Sequence, residues 1–175
     1  MTKPRWPGAI PLGLATAILG ALAVFGGLNR PDRVVGLGEE LPCGSVGYSV
    51  LGVIQTDRVG KAPRMARGVY WVLTLKFMNH WHLLDAKFDP SFVSLIDDRG
   101  NEHPVSEEAQ KVLDSARKGE DCYGREIPPG SSCTTEVVFD LPAGVRGREL
   151  KISMRRALGD VLGGLLFGER RIRLD

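Results

Sequence analysis

Alternation of apolar and polar side chains is strongest between residues 69 and 79. Apolar side chains occupy every second position of this run: Val69, Trp71, Leu73, Leu75 and Phe77. Because successive side chains of a strand point to opposite faces, this period of two predicts a strand with one face in a core. The other face becomes more polar toward Asn79.

Shorter runs with the same period predict further strands. They cover residues 46–54, 92–96, 134–140, 150–154 and 171–174. In the first of them, one predicted face carries Val46, Tyr48, Val50 and Ile54, and the opposite face carries Leu51 and Val53. Six or seven short strands joined by polar turns indicate a two-sheet sandwich.

Connections and one helix complete the predicted domain. Stretches rich in polar residues, Gly or Pro predict a long exposed connection over 56–68, a tight turn over 97–101 and a turn over 127–130. Ser106 followed by Glu107 and Glu108 predicts the start of a short helix, because Ser caps helices and acids favour the N-terminal end of the helix dipole.

A different pattern precedes the strands. Residues 9–28 carry no charge and are apolar on every face, and a helix of this length is about 30 Å long, which matches the hydrocarbon core of a bilayer. Lys3 and Arg5 precede the segment and favour a cytoplasmic N-terminus. We therefore expect a single-pass cell-membrane protein with its C-terminal domain outside the cytoplasm. A signal peptide cleaved after Ala23, which would give a secreted protein, is the alternative.

The predicted organisation has four parts. Residues 1–8 form a cytoplasmic N-terminus, residues 9–28 a transmembrane anchor or signal peptide, residues 29–44 a spacer and residues 45–175 the sandwich domain. Beyond the apolar segment, the charges balance: Lys3 and Arg5 are two of the 23 basic residues, which leaves 21 against 21 acidic residues. A neutral domain argues against nucleic acid as a partner, because a basic surface supplies much of that affinity.

Three segments in this order resemble a known family. They are GVYWVLTLKFMN (68–79), FVSLIDDRGNEHPVSEEA (92–109) and IPPGSSCTTEVVFDLP (127–142). Together they resemble bacterial exported domains of unknown function with an immunoglobulin-like (telokin-like) sandwich, similar in fold to the secreted mycobacterial immunoprotective antigen. The resemblance implies an immunoglobulin-like β-sandwich behind a lipoprotein signal or a single membrane anchor. With the patterns above, the expected fold is mainly β: an immunoglobulin-like β-sandwich with one short helix, preceded by a single N-terminal transmembrane helix. The resemblance implies no enzymatic activity and no catalytic residue.

Three cysteines raise the question of a disulfide. Thiols outside the cytoplasm tend to pair, and an odd number leaves one unpaired. A bond between Cys122 and Cys133 would close a small loop around the 127–130 turn. A bond between Cys43 and Cys122 is the competing possibility, since it would tie the predicted spacer to the domain.

Other polar clusters offer interaction surfaces rather than chemistry. His80 and His82, with Asp85 nearby, could form a two-ligand metal site, but a solvated loop in which Trp81 partly covers the core is the favoured interpretation. Residues 97–101 predict a hairpin turn in preference to a calcium loop. A C-terminal basic strip could face lipid or an acidic partner, or form solvent faces of edge strands: Arg155, Arg156, Arg171 and Arg173.

The functional expectation is a membrane-anchored binding or interaction module of unknown ligand. Neither catalysis nor a cofactor or metal is expected. The expected partners are membrane lipid, through residues 9–28, and an envelope protein. The alternative is an accessory subunit of a cell-envelope complex, in which the transmembrane helix makes the partner contacts.

Overall fold

The computed structural model describes residues 32–60, 65–116, 122–153 and 170–175. In chain order, the strands are β1 (Arg33–Val35), β2 (Leu41–Cys43), β3 (Val46–Arg58), β4 (Met65–Asn79), β5 (Ala86–Lys87), β6 (Val93–Asp97), β7 (Glu102–Pro104), β8 (Glu126–Ile127), β9 (Ser132–Leu141), β10 (Gly147–Ile152) and β11 (Arg170–Arg173). A 3-10 turn (Pro90–Phe92) precedes β6, and helix α1 (Glu107–Ala116) follows β7.

The strands form two main sheets and one small ribbon. The first sheet has the order β2-β3-β4-β9, and all its strand pairs are antiparallel. The second has the order β1-β11-β10-β6-β7, in which only the β1–β11 pair is parallel. Strands β5 and β8 pair separately. The described residues are therefore mainly β, as predicted.

The core lies between the two main sheets. The β4 face predicted from the period of two is buried or packed against this core, and so are the facing residues of β9: Val69, Trp71, Leu73, Leu75, Phe77, Thr135, Val137 and Phe139. The other sheet contributes Leu95, Leu150, Ile152 and Ile172. The apolar area removed from water between the sheets is the main force that holds them together.

A β-bulge corrects the predicted face of β3. Val50 pairs with Leu75 and Gly52 pairs with Thr74, so Leu51 is the extra residue. Tyr48 and Val50 are buried as predicted, but Ile54 is 59% exposed and Val53 packs against the core instead. The prediction for Ile54 is wrong because one inserted residue exchanges the two faces of the strand beyond it.

Two predicted connections are shorter than expected. The spacer predicted over 29–44 contains β1 and β2, whose residues Val35, Leu41 and Cys43 are buried in the core. The connection predicted over 56–68 is mostly strand, since β3 continues to Arg58 and β4 begins at Met65. Both predictions are wrong for these residues, because pairing with distant strands determines structure that local periodicity does not reveal.

Helix α1 covers the outer face and free edge of the first sheet. Ala109 and Leu113 pack with Val138 in a second apolar cluster. The buried Gln110 side chain acts as a short substitute for a neighbouring strand: its Nε2 donates to the Glu136 carbonyl at 2.8 Å, and its Oε1 accepts from the Val138 N–H at 3.0 Å. Edge strands that are capped in this way are protected from pairing with other chains.

Several predictions fall outside the described residues. The anchor or signal segment 9–28 and the residues Arg155 and Arg156 belong to this group. Within the described ranges, α1 has ten residues, and no helix there is long and apolar enough to cross a bilayer.

Candidate interaction surface

The sandwich has two ends that carry different loops. The Asn79 end consists of the turn 44–45, the loop 80–85 and the turn 128–131. The Asp97 end consists of the hairpin turn 98–101 and the turn 142–146. At the Asp97 end, Gly147 pairs with Asp97. Trp71 packs closely against this glycine, where an added Cβ would lie 2.8 Å from Leu95 Cδ2, so Trp71 marks the Asp97 end of β4. Trp71 precedes Asn79 by eight residues in β4, so about 26 Å of strand separates the two ends.

The side chain and backbone of Asn79 connect the loops at the Asn79 end by hydrogen bonds. Its buried side chain donates from Nδ2 to the carbonyls of Leu84 at 2.9 Å and Ile127 at 2.8 Å, and its Oδ1 accepts from the Trp81 N–H at 3.0 Å. Its backbone exchanges two hydrogen bonds of 2.9 Å with the turn 128–131. One amide side chain therefore fixes both ends of the loop 80–85 and joins that loop to the neighbouring turn.

The apolar loop, residues 80–85, exposes large side chains that Asn79 holds outside the core. Leu83 is 89% exposed, Leu84 56% and Trp81 44%. Seven large apolar side chains are exposed in the described part of the chain, and three of them lie in this six-residue loop. Such clustering marks a contact surface more often than scattered exposed apolar residues do. Sequence reasoning selected His80, Trp81 and His82 but missed Leu83 and Leu84.

The segment after the apolar loop is anchored in the core. Phe88 is buried and stacks edge-on against Phe77 and Tyr123, with ring centroids 5.9 Å apart in each pair. Phe77 also meets Tyr48 at 5.3 Å. The loop is thus held by Asn79 on one side and by this aromatic cluster on the other, so its exposed side chains stand on a rigid base.

The two histidines of the loop have separate environments. His80 Nε2 lies 2.5 Å from Glu40 Oε1, and the His80 N–H donates to the Ser45 carbonyl at 2.8 Å. His82 is exposed. No group of three potential metal ligands occurs among the described residues. The loop follows the end of β4, and Trp81 is more exposed than the core-covering side chain of the favoured interpretation would be.

The cysteine prediction is confirmed for the favoured pair. Cys122 and Cys133 form a disulfide with a Cα–Cα distance of 5.7 Å. It closes a loop that contains Ile127, one of the carbonyl partners of Asn79. Cys43 is a free, buried thiol, so the competing Cys43–Cys122 bond does not form. Burial raises the pKa of Cys43 to about 11, against the opposing charges of Arg170 and Arg33, so the thiol stays protonated at neutral pH.

The Asp97 end is organised by a buried carboxylate. Asp97 accepts hydrogen bonds from the N–H groups of Arg99 and Asn101, from Asn101 Nδ2 and from His103 Nε2, at 2.7–2.9 Å. Burial alone would raise the pKa of Asp97, but the hydrogen bonds from His103, Asn101 and Arg99 outweigh it and hold this pKa far below its usual range. The predicted hairpin turn is confirmed, with Gly100 at a φ of 84°.

The predicted basic strip is only partly described. Arg171 Nη1 lies 3.2 Å from Glu149 Oε2 on the neighbouring strand β10. Arg173 is exposed, while Arg170 Nη1 donates to the Pro42 carbonyl at 2.6 Å. A lipid or acidic partner for the strip stays a prediction, since Arg155 and Arg156 lie outside the described ranges.

A groove beside α1 is lined in part by apolar side chains. Its volume is about 470 Å³, and its lining includes Val93, Val105 and Tyr123. Its polar lining is already used within the protein: Gln110 binds β9 and Asp114, and Lys111 Nζ lies 4.0 Å from Glu107 Oε2. We therefore place the candidate surface at the apolar loop.

Solved structures with this fold include a secreted protein. The MPT63 protein of Mycobacterium tuberculosis is 18% identical, with a TM-score of 0.52 over 71% of this chain and 91% of its own. The yjhA protein of Bacillus subtilis is 15% identical, with a TM-score of 0.54 over 81% and 99%. An uncharacterized β-sandwich protein of Clostridium difficile is 12% identical, with a TM-score of 0.46 over 84% and 97%. No protein-family model and no curated protein matches the chain. The likenesses to MPT63 and yjhA show a shared fold, and one of these two proteins is secreted.

Proposed function

We propose that the chain is a membrane-anchored, extracytoplasmic interaction module with an immunoglobulin-like sandwich and no catalytic role. Its contact surface is the apolar loop at the Asn79 end. The observation that carries this proposal is the exposure of Trp81, Leu83 and Leu84 on a loop fixed from within by Asn79.

Exposed apolar side chains lower the solubility of a protein unless they serve a contact. The order of the loop backbone affects how strong such a contact can be. A loop whose backbone is already ordered loses little conformational entropy when it binds, so more of the apolar contact energy becomes affinity. Full burial of an exposed leucine such as Leu83 contributes on the order of 2 kcal/mol, and Leu84 and Trp81, which are partly buried already, contribute less each. Three neighbouring side chains are therefore enough for a weak contact that tethering to the membrane would strengthen.

Placement outside the cytoplasm has two independent supports. Residues 9–28 have the length and composition of a membrane span. The Cys122–Cys133 disulfide suits an oxidising compartment, since such bonds are rare in the cytosol of most cells. The likeness to the fold of the secreted MPT63 protein is consistent with the same placement.

Photo-crosslinking in intact cells tests the proposal. A photoreactive p-benzoylphenylalanine replaces Leu83 in the apolar loop and, in a control chain, Arg99 at the Asp97 end. We expect covalent adducts with a cell-envelope component from position 83 and few from position 99. Equal yields of adducts from both positions would contradict the proposal.

An anchor exchange addresses the accessory-subunit alternative. Replacing residues 9–28 with an unrelated transmembrane segment keeps the sandwich outside the cytoplasm but removes any helix-specific contact. We expect the position-83 adducts to persist. Their disappearance, with the protein still in the membrane, would favour a complex in which the transmembrane helix makes the partner contacts.

A further inference from the structure

We infer that the partner surface of the apolar loop is the outer leaflet of the bilayer in which the chain itself is anchored. This inference rests on the proposed function, because it requires residues 9–28 to span the membrane. It goes further by naming lipid, rather than another protein, as the contact.

The direction of β1 shows at which end of the sandwich this strand begins. Strand β6 runs from Val93 toward the Asp97 end. Strand β10 is antiparallel to β6, β11 is antiparallel to β10, and β1 is parallel to β11, so β1 runs in the same direction as β6. The first residue of β1, Arg33, therefore lies at the end of the strand that is opposite the Asp97 end, on the side of the Asn79 end.

The start of β1 also lies close to strand residues beside Asn79. Arg33 pairs with Arg170, and Arg170 Nη1 donates to the carbonyl of Pro42, the residue before Cys43, at 2.6 Å. Cys43 pairs with Val46, which in turn pairs with Asn79. The point at which the chain enters the domain and the apolar loop thus share one end of the sandwich.

The connection to the predicted anchor is short. The uncharged segment ends at Leu28, and the structure describes the chain from Asp32 onward. The intervening residues 29–31 and Asp32 reach at most about 14 Å when fully extended. Because this connection is short, the Asn79 end of the domain lies near the lipid headgroups. The side chains of the apolar loop can then contact the headgroups.

The chemistry of the apolar loop suits a lipid interface. Trp81 carries an apolar ring with a polar N–H, which favours the boundary between headgroups and acyl chains. Leu83 and Leu84 can enter the outer part of the acyl region. His80 is paired with Glu40, and the loop also carries both His82 and Asp85, so it has no basic cluster. The contact should therefore depend mainly on apolar burial and only weakly on salt.

Fluorescence quenching in vesicles tests the inference on the full chain. Leu83→Cys and, as a control at the opposite end, Arg99→Cys are labelled with a small fluorophore; Cys43 is buried and the other two cysteines are paired. Each chain is reconstituted into phosphatidylethanolamine–phosphatidylglycerol vesicles with a lipid that carries a doxyl quencher near its headgroup. We expect quenching severalfold stronger at position 83 than at position 99, with little change at high salt.

Two outcomes would overturn the inference that the loop binds lipid. A third outcome would instead reject the membrane anchoring on which the proposed function rests. If alkaline extraction leaves the chain in the vesicles but the label at position 83 is not quenched, the loop does not bind lipid and its partner is a protein. If quenching is equal at positions 83 and 99, the domain has no preferred orientation. Removal of the chain by alkaline extraction would instead reject the membrane anchoring itself.

Discussion

The two ends of the sandwich are held in the same way, by one buried polar side chain, but they expose different kinds of residues. At each end, one buried polar side chain at the end of a strand makes three or more hydrogen bonds: Asn79 binds the loop 80–85 twice and Ile127 once, and Asp97 binds the turn 98–101 three times and His103 once. The Asp97 turn exposes Asp98, Arg99 and Gly100, as an ordinary hairpin does. The Asn79 loop exposes Trp81 and two leucines. Local stability explains the Asp97 end, whereas the proposed contact would account for the exposed apolar side chains at the Asn79 end.

The Asn79→Asp substitution should produce the largest difference in stability between the two ends of the sandwich. It replaces two N–H donors with an oxygen that faces the carbonyls of Leu84 and Ile127. A buried polar group without a partner costs about 1–3 kcal/mol, so we expect the free energy of unfolding to fall by about 3 kcal/mol in urea denaturation. The Asn101→Ala control at the other end removes one side-chain hydrogen bond and should cost about 1 kcal/mol or less. Equal losses would show that Asn79 has no special role.

Removing the disulfide should have the next largest effect. In the Cys122→Ala/Cys133→Ala double variant, the unfolded chain regains the freedom of an 11-residue separation, which corresponds to about 3 kcal/mol on a loop-entropy estimate. Because the closed loop contains Ile127, amide hydrogen exchange should accelerate at the Asn79 end. A reducing agent should destabilise the natural protein by a similar amount and leave the double variant unchanged.

Acid should loosen the Asp97 end selectively. The pKa of Asp97 lies well below its usual value in the folded state, so its ionisation stabilises the fold above a pH of about 4, and this contribution is lost progressively as the pH falls further. We expect the protection of the Arg99 and Asn101 amides from hydrogen exchange, relative to the unfolded chain, to fall in that range before the protection of the Trp81 amide does. An Asp97→Asn variant should be less stable at neutral pH and show a flatter pH dependence. A matching acid dependence at Trp81 would argue against independent ends.

Leu83→Ser should leave stability almost unchanged. The side chain is 89% exposed, so we expect a shift within about 0.5 kcal/mol in urea denaturation, as for the matched apolar control Ile54→Ser. Only the Leu83 variant should weaken contact with the membrane. A loss of several kcal/mol would mean that Leu83 serves folding rather than binding.

The sequence allowed prediction of what depends on local pattern. The core faces of β4 and β9, the helix after Ser106, the turn at Gly100 and the favoured disulfide are all present in the structure. Apolar residues at every second position, or a residue typical of turns, indicate the structure of the few residues around them. These features could be read from short stretches of chain.

What the sequence did not reveal depends on distant partners. Strand β1 has three residues and pairs with β11, more than a hundred residues later, and the bulge at Leu51 is defined only against β4. At the candidate surface, the sequence drew attention to His80, Trp81 and His82. The exposure of Leu83 and Leu84 follows from the bonds that Asn79 makes across the loop, although two adjacent leucines outside any alternating run were a usable signal.

Thiol reactivity in intact cells tests the central claim most directly. Leu83→Cys and Arg99→Cys are each exposed to a membrane-impermeant thiol reagent before and after detergent solubilisation. If the Asn79 end is the contact surface of an anchored extracytoplasmic domain, position 99 reacts equally in both states, whereas position 83 is protected in cells and reacts fully in detergent. Rapid and equal reaction of both positions in intact cells would contradict the account.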